Sequence, residues 1–191
     1  MNSNLAYKEA PREEVINGEL VAMSPSPGWN HVSVAGNIYH IFKKYLKGKK
    51  CTAIQDGFDV HLTDKDVFEP DMMVVCDRNK IRRDGIYGAP DLVIEVLSPS
   101  TSQRDRGYKK KIYGQCGVRE YWLVSTGEQA VEVYLLQGEE LVLDQVYTIH
   151  PDWMLEGMKE EERARVATHF RCSLFDDLNI ALADIFDDML P

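Results

Sequence analysis

Apolar and polar positions alternate through EEVINGELVAM (13–23), with Asn17-Gly18 between the two arms. That pair predicts a tight hairpin, because both central residues of such a turn need positive φ, which Asn and Gly adopt at least cost. SPSPGWN (24–30) predicts a loop. The period then changes. Val34, Ile38, Ile41, Phe42 and Tyr45 recur at helical spacing and predict a helix from His31 to Leu46. Lys43, Lys44, Lys47, Lys49 and Lys50 gather around Gly48 at its end, where cations complement the helix dipole.

Strands are predicted over 51–62 and 70–76, the latter containing PDMMVVC. A charged loop, DRNKIRRDGIYGAP, leads to DLVIEVL (91–97), which has the length and branched content of a buried strand. A helix is predicted over 102–116, then an apolar strand EYWLV (120–124). AVEVYLL (130–136) and ELVLDQVYTI (140–149) form a predicted hairpin around QGEE. The charged stretch 151–169 reads as partly helical, and DLNIALADIFDDML carries a short amphipathic pattern. Strands with one helix before them and one between them indicate a mixed α/β (α+β) domain. The expected organisation is a single domain over 1–191. An N-terminal hairpin and loop occupy 1–28, and an acidic extension, 151–191, packs on the core.

Composition narrows the class. With 191 residues, 44% hydrophobic and 28% charged, the chain fits one globular domain and excludes collagen-like or disordered architectures. No apolar run reaches the roughly 18 residues of a membrane helix. The N-terminus, MNSNLAYKEAPREE, lacks the basic and apolar regions of a signal peptide, so a cytoplasmic location is expected. Cys51, Cys76, Cys116 and Cys172 form no CxxC pair and are expected as reduced thiols. Net charge is −9, which argues against a general nucleic-acid coat protein. The charge is uneven, however: residues 1–119 carry 18 Lys/Arg against 15 Asp/Glu, and residues 120–191 carry 4 against 16. A polyanion can approach the first part and is repelled by the second.

The informative residue is Glu95, in the middle of the oily strand LVIEVL. Side chains alternate along a strand, so Glu95 shares a face with Asp91, Val93 and Leu97. An isolated carboxylate there costs on the order of several kcal/mol unless it is paired, hydrogen-bonded or bound to metal. A structural ion pair or exposure at a sheet edge is the alternative to a functional role. Asp71, directly after the strand-opening Pro70, offers a partner carboxylate, with a turn or cap as its alternative. Two such carboxylates repel, and a divalent ion resolves the conflict; all-oxygen ligands favour magnesium or manganese. In the following helix Lys109 lies one turn after Asp105 and one turn before Tyr113, which turns it towards the sheet. A lysine there can orient a water or stabilise charge on phosphorus, the alternative being an ordinary basic helix.

EPDMMVVCD, GAPDLVIEVLSPST and RDRGYKKKIYGQCGVREYWLV resemble, in order and spacing, the signature blocks of the Uma2 family of restriction-endonuclease-like proteins in the PD-(D/E)XK superfamily. VINGELVAMSP, VEVYLL and FRCSLFDDLNIALADIF fit the same pattern. The resemblance implies a restriction-endonuclease-like αβββαβ core with added β-hairpins and a magnesium or manganese site. It implies DNA as substrate and a homodimer. Matched residue by residue, the site is Asp71 and Glu95 as metal ligands with Lys109 as the catalytic lysine. Glu19 and His31 match further recurrent polar positions: Glu19 as an additional acid, His31 as a proton shuttle or a hydrogen-bonded core histidine. In the superfamily motif the lysine lies two residues after the acid, where this chain has Leu97; here the matching lysine is displaced to the helix. Ser125 stands where an acid usually follows EYWLV, and 151–169 exceeds the usual connection. No G-x-S-x-G elbow, phosphate loop or HExxH pair is present. A metal-dependent DNA endonuclease is therefore expected, with a catalytically inactive nuclease-like scaffold that binds nucleic acid or protein as the alternative.

Overall fold

The computed structural model describes residues 12–23 and 26–191. Residues 1–11 of the N-terminal segment that lacks signal-peptide regions, and residues 24 and 25 of the loop after the hairpin, lie outside the described residues. β1 (Glu13–Ile16) and β2 (Glu19–Ala22) form the predicted hairpin, with φ of 52° at Asn17 and 82° at Gly18. Helix α1 (Trp29–Tyr45) buries Val34, Ile38 and Phe42, one stripe at four-residue spacing, and ends in Lys43 and Lys44.

The single strand expected over 51–62 is instead two. Gly57, at φ 89°, breaks it into β3 (Thr52–Gln55) and β4 (Val60–Thr63), which belong to different sheets. β5 (Asp66–Phe68), β6 (Met72–Val75), β7 (Ile86–Tyr87) and β8 (Leu92–Val96) follow. The helix expected over 102–116 has the right ends but an irregular middle. α2 (Ser102–Arg104) passes into a π-helical turn, Asp105–Lys109, and then into α3 (Lys110–Cys116). β9 (Glu120–Ser125), β10 (Ala130–Gln137) and β11 (Glu140–Thr148) complete the sheet. Two short exposed helices, α4 (Asp152–Gly157) and α5 (Glu160–Arg163), lie in the acidic stretch. β12 (His169–Arg171), β13 (Asn179–Ala181) and α6 (Leu182–Ile185) close the chain.

The main sheet runs β11-β10-β9-β8-β6-β3. All its neighbours are antiparallel except β8 and β9, which are parallel and joined through α2 and α3. α1, β3, β6, β8, the α2–α3 helix and β9 thus make the expected αβββαβ core. A second sheet, β2-β1-β5-β4-β7, carries the N-terminal hairpin. Period-two alternation on β8 divides the core. Leu92, Ile94 and Val96 pack with α1 and with Phe170, Ile180 and Ile185 of the C-terminal segment. Val93 packs with Phe68, Tyr113, Tyr121 and Leu123 on the opposite face. Among the described residues, no helix is long and apolar enough to cross a membrane.

Two polar features depart from expectation. Cys51 and Cys76, expected as reduced thiols, are joined in a disulfide. The cause is register: Thr52 pairs with Val75, so the two cysteines are the next residues outward on neighbouring strands. Cys116 and Cys172 remain free. Glu120, fully buried on β9, is held by neutral donors. Trp122 Nε1 donates to one oxygen at 2.6 Å, and the Ser173 amide (2.9 Å) and hydroxyl (2.5 Å) donate to the other. This carboxylate fastens the C-terminal segment to the sheet. Glu120→Ala strands the buried Trp122 indole N–H and releases Ser173, and is expected to lower unfolding free energy by about 2–3 kcal/mol in urea titrations.

Candidate functional site

The carboxylates gather where the two sheets meet the α2–α3 helix. Glu95 projects from β8 onto the face of Val93, as strand alternation requires, and is 4% exposed. Its Oε1 accepts from Lys109 Nζ at 3.1 Å and from the Tyr113 hydroxyl at 3.1 Å. The Asp71 amide approaches its Oε2 at 3.4 Å. Asp71 stands just before β6, beside the far end of β8. Its Oδ2 accepts from the Val96 amide at 2.7 Å, and its Oδ1 faces His31 Nε2 at 3.0 Å. His31 reaches it from the first turn of α1. The side chains of His31 and Asp71 keep 21% and 19% exposure, so this end of the cluster meets solvent while Glu95 and Lys109 lie behind it.

Lys109 is the hub. Its Nζ lies 2.7 Å from Glu14 Oε1, 3.1 Å from Glu95 Oε1 and 3.7 Å from Asp105 Oδ1. Arg104 adds a second cation 3.6 Å from Glu14 Oε2. The sequence pattern placed Asp105, Lys109 and Tyr113 on one helix face, and the structure keeps that face. The π turn adjusts it, and the Tyr121 hydroxyl donates to the Asp105 carbonyl within that turn at 3.1 Å. Asp105 Oδ1 is the one buried side-chain oxygen among the described residues that lacks a hydrogen-bond partner.

Asp71, Glu95, Lys109 and His31 are therefore brought together. Glu19 is not: it stands exposed at the start of β2, opposite Ile16. The hairpin instead delivers Glu14, 3% exposed, which the sequence motifs did not single out. A signal was present. Alternation along Glu13-Glu14-Val15-Ile16 puts Glu14 on the side of Ile16, which packs against the core.

Charge is out of balance here. Four carboxyls (Glu14, Asp71, Glu95 and Asp105) face two cations, with His31 at the rim. Burial pushes the Glu95 carboxyl well above its ordinary range; Lys109 opposes this, and Asp105, Asp71 and Glu14 reinforce it. Burial likewise raises Asp105, again against Lys109. Burial would lower Lys109, but Glu95, Glu14 and Asp105 outweigh it and keep the ammonium charged. Burial also disfavours charged His31, yet its bond to Asp71 raises it above the ordinary imidazole value.

Among the described residues, no three His, Cys, Asp or Glu side chains converge as a ready-made metal cage. The donor chemistry still fits a hard divalent cation. Magnesium commonly takes only one or two protein carboxylates and fills its other positions with water and phosphate oxygens. Asp71 and Glu95 supply such a pair, and Asp105 Oδ1, which has no hydrogen bond and faces only Lys109 Nζ at 3.7 Å, adds to the negative charge behind them. The clefts between β11 and residues 158–167, and between α1 and α6, contain none of these groups.

The family model Uma2, described as "Putative restriction endonuclease", matches residues 4–163. "Uncharacterized protein slr1290" of Synechocystis sp. (strain ATCC 27184 / PCC 6803 / Kazusa) is 29% identical over 134 residues, covering 68% of this chain and 70% of that protein. The crystal structure of "a putative nuclease belonging to DUF820" from Anabaena variabilis ATCC 29413 superposes with a TM-score of 0.68 at 23% identity. That match covers 92% of this chain and 90% of the other. The likeness to the Anabaena structure establishes the shared fold. The family match, which spans most of the chain and includes every residue of the Lys109 cluster, establishes that this protein belongs to the Uma2 family of restriction-endonuclease-like proteins.

Proposed function

We propose that the protein is a divalent-metal-dependent endonuclease that hydrolyses phosphodiester bonds in DNA, with magnesium or manganese as its ion. The observation that supports this reading is Asp71 beside Glu95, its amide 3.4 Å from Glu95 Oε2 and its charge helping to push the Glu95 carboxyl up, with a buried, charged lysine against Glu95. Asp71 and Glu95 would hold the ion. When bound, it supplies a Lewis acid for the phosphoryl oxygens and lowers the pKa of water.

The chain's own residues do the rest. The Val96 amide fixes one oxygen of Asp71, and Tyr113 fixes one of Glu95, so both carboxylates are aimed without freedom to swing. Lys109 offsets charge beside Glu95 and is the group available to orient the attacking water or offset charge developing on phosphorus. His31 fixes the second oxygen of Asp71 at the exposed rim and is placed to carry a proton at Nε2.

Thermal unfolding in EDTA and in magnesium tests the ion site without any substrate. Wild-type protein is expected to gain about 2.7 kcal/mol of stability at one hundred times Kd. An Asp71→Asn/Glu95→Gln variant is expected to gain none. Equal gains in both proteins would remove Asp71 and Glu95 as ligands.

One observation favours a second reading, a nuclease-like scaffold without catalysis: Lys109 already has three carboxylates within 4 Å, and Leu97 occupies the position of the superfamily lysine. That reading predicts no cleavage of plasmid or single-stranded DNA with any divalent metal. Metal-dependent cleavage that Glu95→Gln abolishes decides for the nuclease.

A further inference from the structure

The carboxyls of the candidate site repel phosphate, so affinity for a polyanion has to come from elsewhere on the surface. The structure offers one such place. The chain leaves α1 through Lys43, Lys44, Lys47, Lys49 and Lys50, a stretch without a single acidic residue. The Cys51–Cys76 disulfide then ties this stretch beside the start of the loop that carries Arg78, Arg82 and Arg83. A second tie reinforces it: Arg78 Nε donates to the Lys50 carbonyl at 3.2 Å. Two basic segments, 28 residues apart in sequence, are thus brought side by side at Lys50 and Arg78, and their lysines and arginines at 43, 44, 47, 49, 50, 78, 82 and 83 are exposed.

Most of this charge is not neutralised internally. Among the described residues, Lys49 is the only member paired with a carboxylate, Asp177 at 3.6 Å. The loop also carries two exposed acids, Asp77, which caps the Asn79 amide, and Asp84, which accepts from Tyr87, but Arg78, Lys80, Arg82 and Arg83 outnumber them. Arg82 lies over the Tyr87 ring at 4.0 Å, and Tyr87 stacks on His61 at 4.3 Å, so the loop's guanidinium is braced.

The patch also stands in a fixed relation to the site. Asp71 and Cys76 bracket β6, five residues apart, or about 16 Å at about 3.3 Å per residue. α1 spans the same gap, with His31 at the Asp71 end and Lys44 thirteen residues on, about 20 Å at 1.5 Å per residue. At about 3.4 Å per base-pair step, the offset corresponds to about five base pairs.

We propose that Lys47, Lys50, Arg78, Arg82 and Arg83 form a docking surface for the phosphate backbone of duplex DNA. It holds the duplex about five base pairs to one side of the Asp71–Glu95 site. This deepens the nuclease reading and rests on its choice of DNA, but it concerns binding, which proceeds without metal or cleavage.

The test is fluorescence anisotropy of a labelled 20-base-pair duplex in EDTA, titrated with salt. It compares wild type, Glu95→Gln and Lys47→Ala/Lys50→Ala/Arg78→Ala, with folding checked by circular dichroism. The triple variant is expected to bind at least about tenfold more weakly. Its salt slope should be shallower by about 0.9 for each phosphate that is no longer neutralised. Single Lys47→Ala and Lys50→Ala variants, exposed and structurally neutral, should each show part of both effects. Unchanged affinity and slope across these variants overturn the docking surface while leaving the nuclease reading intact. Patch-dependent binding without cleavage under any metal does the reverse. Patch-dependent binding to phosphatidylserine vesicles, with none to duplex DNA, also overturns it.

Discussion

Glu95→Gln is expected to reduce metal-dependent DNA cleavage by about 10²–10³-fold or more while leaving the protein at least as stable as wild type. The two effects have one cause. Glu95 is 4% exposed, and burial already disfavours its charged form. Gln has the same shape and its carbonyl can still accept from Tyr113 and Lys109, so the fold gives up only the long 3.4 Å approach of the Asp71 amide and sheds an unfavourable charge. A carboxylate kept against the interest of stability is the usual mark of a working group. Plasmid nicking beside urea unfolding of both proteins reads the two quantities together. A variant that cuts as well as wild type would end the assignment of Glu95.

Lys109→Met is expected to cost about 3–5 kcal/mol at neutral pH, because it leaves Glu14, Glu95 and Asp105 buried around a vanished counter-ion. Acid should return part of that loss. Burial lifts Glu95 and Asp105 above the ordinary carboxylate range, so the folded state holds their protons at pH values where the unfolded chain has released them. Stability from these groups is present below about pH 4, their unfolded range, and declines as pH rises through the raised folded values. Lys109 limits that decline in the wild type. Its removal should steepen it, so the gap between the two proteins narrows towards acid pH. Denaturant midpoints at pH 5 and pH 8 measure this, and a gap that is constant with pH would show that Lys109 contributes packing rather than charge.

Much of the site was legible because it depends on short-range periodicity. Period two on LVIEV set the face of Glu95, and four-residue spacing set Asp105, Lys109 and Tyr113 on one side of a helix. Pro70 marked the strand entry that positions Asp71, and the order of the signature blocks carried the fold. What was not legible depended on pairings between distant segments. Glu14 enters the cluster because β1 lies against β5, a pairing that no local pattern records. The sequence motif drew attention to Glu19, five residues on, which the hairpin turns outward. Cys51 and Cys76 meet only once β3 and β6 are in register. The break at Gly57 divides what looked like one ribbon because a residue at positive φ redirects the backbone, whatever its neighbours' branched side chains favour.

The π turn at Asp105–Lys109 acts as a phase adjuster. A widened turn takes up one residue more than an ordinary coil, and each residue of a helix advances the direction of its side chain by about 100°. The segment entering from Ser102 and the segment leaving towards Cys116 can therefore be clocked separately. One is set by the loop after β8, the other by the pocket that receives Tyr113. Excising Gly107 would put both on one clock, and Arg104 and Lys109 would then no longer reach Glu14 together.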